Sequence, residues 1–283
     1  VYTVDRAHGL ISSIADRGTE LLTSPVDLNI WRAPTDNDRR IKLKWTEQKL
    51  HEASTKCYAC RVSEKTDKYV KVTAALSHGG KIFEPVLHAA ATYTFFAEGG
   101  VTLDFDVTVR DLRTFDHLPR FGVQFTCPAG FERVRYFGRG PGASYADLRH
   151  SSLLGEFETT ANDNFEHYVR PQENMAHTDT KWMFVANMEG HGLLAAETDA
   201  DFSFNCSHFT PKMLETTRHD YELKPLADTV VNLDYRQDGI GSNSCGPELL
   251  PEYRFSEKAF RFGIRLLPAL VNDVCPFEEA KQK

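Results

Sequence analysis

The sequence lacks most of the features that assign a protein at sight. Basic residues are not in excess: 33 Lys and Arg stand against 40 Asp and Glu, a formal net charge of −7. A nucleic-acid binder would select a basic face to neutralise phosphates, so this balance argues against that class. No apolar run approaches the roughly 20 residues a membrane helix needs. The N-terminus, VYTVD, lacks the layout of a signal peptide and reads as a strand, which suggests a piece processed or excised from a longer protein. There is no HExxH, no P-loop and no GxSxG elbow, so the common zinc-protease, phosphate-cradle and serine-hydrolase fingerprints are missing.

Cysteine is scarce as well. The six residues Cys57, Cys60, Cys127, Cys206, Cys245 and Cys275 are few for 283 residues, and a chain this long does not need disulfide staples. Reduced thiols in a cytoplasmic protein are the expectation. Cys57 and Cys60 form a CxxC, but residues three apart on a regular strand point to opposite faces, and no second pair completes a zinc site. No metal site is expected.

What is present is strand after strand. Between 101 and 109 the apolar residues Val101, Leu103, Phe105, Val107 and Val109 alternate strictly with Thr102, Asp104, Asp106 and Thr108, the period of a half-buried strand. Further strands are expected at 1–4, within 9–22 around the turn Asp16-Arg17-Gly18, and at 57–62, 69–76, 90–96, 121–126, 133–137, 182–187, 192–197, 229–233 and 261–267. Helix is confined to 39–52, with Ile41, Trp45 and Leu50 at helical spacing, and to one turn at 211–217 with Thr210 as N-cap and Pro211 at the first helical position. Many short strands without alternating long helices predict an all-β protein: one large antiparallel β-sandwich formed by residues 1–283 as a single domain.

Three features could carry chemistry. The glycine cluster at 138–142, GRGPG, lacks the Lys-Ser/Thr ending of a phosphate loop, and Pro141 removes an amide donor, so it reads as a shaped turn. Carboxylates are plentiful (Glu156, Glu158, Glu166, Glu173, Asp179, Glu197, Glu248), yet nothing in the sequence pairs two of them across a cleft. The stretch 234–247, DYRQDGIGSNSCGP, runs from apolar strand into a Gly/Ser/Asn/Cys loop. Gly239, Gly241 and Gly246 permit backbone angles that other residues resist, so this loop can hold a specific shape.

Several segments together resemble a known family. RYFGRGPGASYADLR (135–149) and YVRPQENMAHTDTKW (168–182), with WRAPTDND (31–38), LPRFG (118–122) and 234–247, resemble in order the C-terminal small-chain region of bacterial β-galactosidases of glycoside hydrolase family 2. The resemblance covers nearly the whole chain. It implies a large β-sandwich, a supersandwich similar to galactose mutarotase. It also implies that the catalytic glutamates, with the magnesium and sodium ligands, belong to a preceding TIM-barrel domain absent here, so this chain carries no catalytic residue and no metal.

By the same resemblance the chain contributes a substrate-facing loop, Gly241, Ser242, Asn243, Ser244 and Cys245, to the mouth of an active site. Many relatives place a tryptophan where this sequence has Cys245, which removes a flat stacking surface. Asn243, Ser244 and Cys245 are expected to line the glucose or acceptor side. The implied partners are the catalytic domain or large subunit of a β-galactosidase, a galactoside such as lactose, and further copies in an oligomer, with neither nucleic acid nor membrane. Two other readings remain: an aldose epimerase-like enzyme using His177 with Asp179 or His167 with Glu166, and a stand-alone carbohydrate-binding module. The isolated chain is expected to be silent towards sugars.

Overall fold

Strict alternation along Val101–Val109 buries one face of that strand and wets the other: Val101, Leu103, Phe105, Val107 and Val109 are all buried. The same period recurs across two antiparallel sheets in a computed structural model that describes residues 1–110 and 115–280. One sheet has eight strands. Its order is Tyr2–Asp5, Leu10–Asp16, Ser24–Asn29, Arg120–Cys127, Thr229–Gln237, Phe202–Ser207 and His177–Thr180, with Thr19–Glu20 hairpinned onto Leu10–Asp16. The other has nine, ordered Leu153–Thr160, Arg133–Gly140, Trp182–Ala186, His191–Glu197, Ala259–Leu270, Val101–Val109, Leu87–Phe96, Tyr69–Gly80 and Ala53–Lys65.

Aromatic side chains fill the space between the sheets. Phe121 of the first sheet meets Phe260 of the second edge-on at 4.9 Å, and Phe262 stacks on Phe105 at 6.3 Å. Such offset and T-shaped contacts are the arrangements that aromatic quadrupoles favour. The all-β antiparallel sandwich expected from the sequence is therefore the fold observed.

Both expected helices form. One runs over Ile41–Glu47, with a separate short turn at Leu50–Glu52. The other is Pro211–Thr216, where the Thr210 side chain accepts from the Met213 N–H at 3.2 Å as an N-cap should.

Two expectations need correction. The GRGPG cluster is not wholly a turn, because Gly138, Arg139 and Gly140 complete the strand Arg133–Gly140 and pair with Leu153–Gly155. Nor do Cys57 and Cys60 face opposite ways. Cys57 pairs with Leu76 and Ala59 with Ala75, leaving Tyr58 as an extra residue in a β-bulge. The bulge resets the alternation, so both thiols pack against the main core. All six cysteines are free, and among the described residues no group of three or more His, Cys, Asp or Glu side chains could hold a metal ion.

Candidate functional site

The strand Thr229–Gln237 lies between Arg120–Cys127 and Phe202–Ser207, and its last residues carry the chain into the loop. Asp234 near its end is fully buried, and so is Arg120 on the adjacent strand. Arg120 Nε donates to Asp234 Oδ1 at 2.9 Å, and its Nη2 donates to Oδ2. The same guanidinium reaches Glu173 at 3.3 Å and Asn205 at 3.2 Å, while Asn205 donates to Glu173 at 2.7 Å. Burial opposes charge on Arg120, but the Asp234 and Glu173 carboxylates raise its pKa above the usual guanidinium value. Burial pushes the Glu173 carboxyl up. Glu173 is thus part of a structural network closed to solvent.

The root of the loop is fixed by the WRAPTDND segment. Arg32, with no solvent exposure, donates to the carbonyl oxygens of Asp238 and Gly239 at 2.8 and 3.0 Å. Its other edge forms a two-point bond with Asp38 at 3.2 and 2.9 Å. Burial works against the Arg32 charge, and Asp38 and Asp238 outweigh it, raising the pKa. The Asp238 carboxylate is held in turn by the His117 ring at Nδ1 and by the Phe255 N–H at 2.6 Å. Burial raises its pKa, and His117 offsets part of that rise.

The neck of the loop is fixed by Asp147, from the ASYADLR end of the 135–149 motif. Its two carboxylate oxygens accept from the Ile240 and Gly241 N–H groups, both at 2.7 Å. Gly239 permits this approach, since a Cβ there would sit 2.7 Å from Asp147 Cγ. Gly241 has φ +68°, a conformation costly for any residue with a side chain. Of the three glycines expected to adopt unusual angles, only Gly241 does; Gly239 and Gly246 have ordinary φ and are small because neighbours crowd them.

The tip is a tight turn in which the Cys245 and Gly246 N–H groups donate to Ser242 O at 3.3 and 2.7 Å. Asn37 grips it from outside, donating to Gly241 O at 2.8 Å and accepting from Ser244 N–H at 3.0 Å. Arg39 donates to Ser244 O at 2.8 Å. Ser242 and Cys245 are exposed, and Gly241, Asn243 and Ser244 are half-buried. Beside the loop lies an open cavity of about 560 Å³, lined among others by Asn37, Arg40, Lys44, His117, Gly241 and Asn243.

This arrangement can offer hydrogen-bonding groups to a ligand, but it holds no activated nucleophile. Among the described residues, no histidine or carboxylate hydrogen-bonds to the Ser242, Ser244 or Cys245 side chain. Five of the other acidic candidates are held in ion pairs, Glu248 in the wall of the cavity beside the loop. Glu156 and Glu158 pair with Arg135, Asp179 with Arg139 and Arg149, Glu197 with Lys181, and Glu248 with Arg254.

The epimerase pairings do not form either. The buried His177 ring has Arg139 O and Asn164 Oδ1 at 2.8 and 2.7 Å, and burial lowers its pKa to about 4. His167 pairs with Asp220 rather than Glu166. The motifs at 31–38 and 135–149 contain Asn37, Asp38 and Asp147, but nothing local in the sequence gives these side chains a task. The available signal was that ordered, sequence-distant polar motifs commonly meet in one place.

Comparisons with known proteins bear on the whole chain. The family model described as Beta galactosidase small chain matches residues 1–266. A beta-galactosidase of Staphylococcus xylosus is 34% identical over 265 residues, covering 94% of this chain and 26% of that protein. A beta-galactosidase of Actinobacillus pleuropneumoniae is 35% identical over 269 residues, with the same two coverages. The chain thus spans about a quarter of the length of these curated relatives. Among solved structures, a putative aldose 1-epimerase from Escherichia coli is similar at 10% identity and a TM-score of 0.39, covering 95% of this chain and 99% of that one; likeness at that level carries no argument about function.

Proposed function

This chain belongs to the beta-galactosidase small-chain family, and from that premise we propose that it is the non-catalytic C-terminal part of an enzyme that cleaves terminal β-D-galactosides such as lactose. The chemistry is the retaining mechanism. One glutamate protonates the glycosidic oxygen and a second attacks the anomeric carbon; water then releases the sugar from the glycosyl-enzyme. Both glutamates, and the magnesium and sodium sites, are supplied by a TIM-barrel domain or large subunit outside this chain. The chain supplies Gly241–Cys245 as a cap at the mouth of that site, with Asn243, Ser244 and Cys245 towards the acceptor or leaving sugar, and it supplies surface for assembly into an oligomer.

The observation that carries this reading is the loop itself. Polar groups from two distant segments, the stretch 32–37 and Asp147, hold its backbone, while its exposed tip offers small polar side chains to which, among the described residues, no histidine or carboxylate is hydrogen-bonded. Two measurements test it. The purified chain should show no turnover of nitrophenyl galactoside, and activity that survives repurification would overturn the non-catalytic assignment. In the complete enzyme, Cys245→Ala should change acceptor preference or KM more than kcat; unchanged kinetics with several acceptors would remove the loop from the site.

A further inference from the structure

We infer that Asn37 and Asp147 are positioning residues for the loop, fixing the shape of Gly241–Cys245 before any sugar arrives; the inference rests on the substrate-facing role proposed for that loop. Asn37 closes both ends of the stretch 241–244 with one side chain, its amide nitrogen on Gly241 O and its amide oxygen on Ser244 N–H. Asp147 takes two consecutive N–H groups, Ile240 and Gly241, on its two oxygens. Hydrogen bonds to an ionised carboxylate are stronger than neutral ones, so this is the firmer of the two grips.

All of these bonds go to loop backbone. The side chains of Ser242, Asn243, Ser244 and Cys245 take no part in the brace; their own contacts are long ones, Ser242 Oγ to Pro247 O at 3.5 Å and Ser244 Oγ to Cys245 Sγ at 3.9 Å, which a ligand can replace. A Gly/Ser/Asn stretch has much conformational freedom to lose. Here that loss is met on folding rather than on binding, the general route by which a preorganised site gains affinity. The loop therefore consists of two separable parts. The brace decides where the backbone lies, and the side chains at 242–245 decide what it recognises.

Amide hydrogen exchange on this chain reads the brace directly. Asp147→Ala should speed exchange at Ile240 and Gly241 at least tenfold and leave Val231 and Leu233 in the adjoining strand unchanged. Asn37→Ala should do the same at Ser244, and Asn37→Asp, which keeps an acceptor there, should restore most of that protection. Unchanged protection at 240, 241 and 244 would overturn the inference. If Asp147→Ala loosens the whole strand, Asp147→Asn, with one acceptor oxygen retained, must show acceleration confined to the loop, and a spread-out effect again overturns it.

The second readout is kinetic. In the complete β-galactosidase containing this chain, Asn37→Ala should raise KM several-fold with kcat nearly unchanged. A loss confined to kcat while loop protection stays intact would count against positioning. Loosened loop amides with unaltered kinetics would leave the brace standing and bring down the galactoside-facing role instead, so the two ideas fail separately.

Discussion

Arg120 and Asp234 lie on adjacent strands, neither with any solvent exposure, and the guanidinium of one meets the carboxylate of the other at two points. Taking such a pair out of water is expensive, and it is tolerable only because Gln237, Glu173 and Asn205 complete the hydrogen bonding. The pair also stands at the end of the strand that leads into the loop.

Removing one partner should therefore be far worse than replacing both. Asp234→Ala removes the two-point partner of the buried guanidinium, leaving it the Glu173 carboxylate at 3.3 Å, and is expected to cost about 3–5 kcal/mol. The double variant Arg120→Met, Asp234→Leu, made together with Glu173→Gln so that no buried carboxylate loses its partner, should cost less than that single change. Urea denaturation of the three proteins checks this, and a combined variant less stable than Asp234→Ala would contradict it.

Acid should weaken the protein through His177. Burial lowers its pKa from the ordinary 6.5 to about 4, so below 6.5 the unfolded chain takes up a proton that the folded one refuses. The contribution is fully present above pH 6.5 and is lost as pH falls towards 4, by up to roughly 1.4 kcal/mol per pH unit. Thermal unfolding of the parent and of His177→Phe between pH 7 and 4.5 should give a shallower decline for the variant. Equal slopes would rule out His177 as a source of acid sensitivity.

The inter-sheet aromatic layer should dominate stability. Phe121 is fully buried and meets Phe260 edge-on, so Phe121→Ala is expected to cost about 3–5 kcal/mol. Val62, 60% exposed on an edge strand, is the control, and Val62→Ala should fall within about 0.5 kcal/mol of the parent. Chemical denaturation with a similar penalty at both sites would refute the assignment of the core.

Thiol chemistry should sort the cysteines by position. Cys245 and Cys275 are exposed, whereas Cys127 and Cys206 are buried. Burial pushes Cys206 up to about 12 and Cys127 higher still. A disulfide reagent at pH 8 should label Cys245 and Cys275 quickly and leave Cys127 and Cys206 untouched until the protein unfolds; peptide mapping after a short pulse decides it.

The strands legible in the sequence are those with strict alternation, as in Val101–Val109, and those that are short apolar runs buried on both faces, as in Trp182–Ala186 and His191–Glu197. Others hid for identifiable reasons. Ser24–Asn29 contains Pro25, which argues against a strand by composition. Leu153–Thr160 lies at a sheet edge with Leu153 and Leu154 both exposed, so its pattern does not alternate. His177–Thr180 is short and irregular, with Asp179 at φ +54°. The loop was visible from its glycines, but its braces were not, because Asn37 and Asp147 stand about 200 and 90 positions from the groups they hold and no local pattern encodes such contacts.

The bulge at Tyr58 matters for the molecule's dealings with its own kind. Ala53–Lys65 closes one edge of the nine-stranded sheet, and its pairing register shifts twice, at Tyr58 and again between Val62 and Glu64. An uninterrupted thirteen-residue edge would be a ready template for a strand from another chain. Two bulges interrupt its ladder, and Lys56, Arg61, Glu64 and Lys65 add charge along it. The irregularity that turns two thiols towards the core thus also guards this edge against unwanted sheet extension.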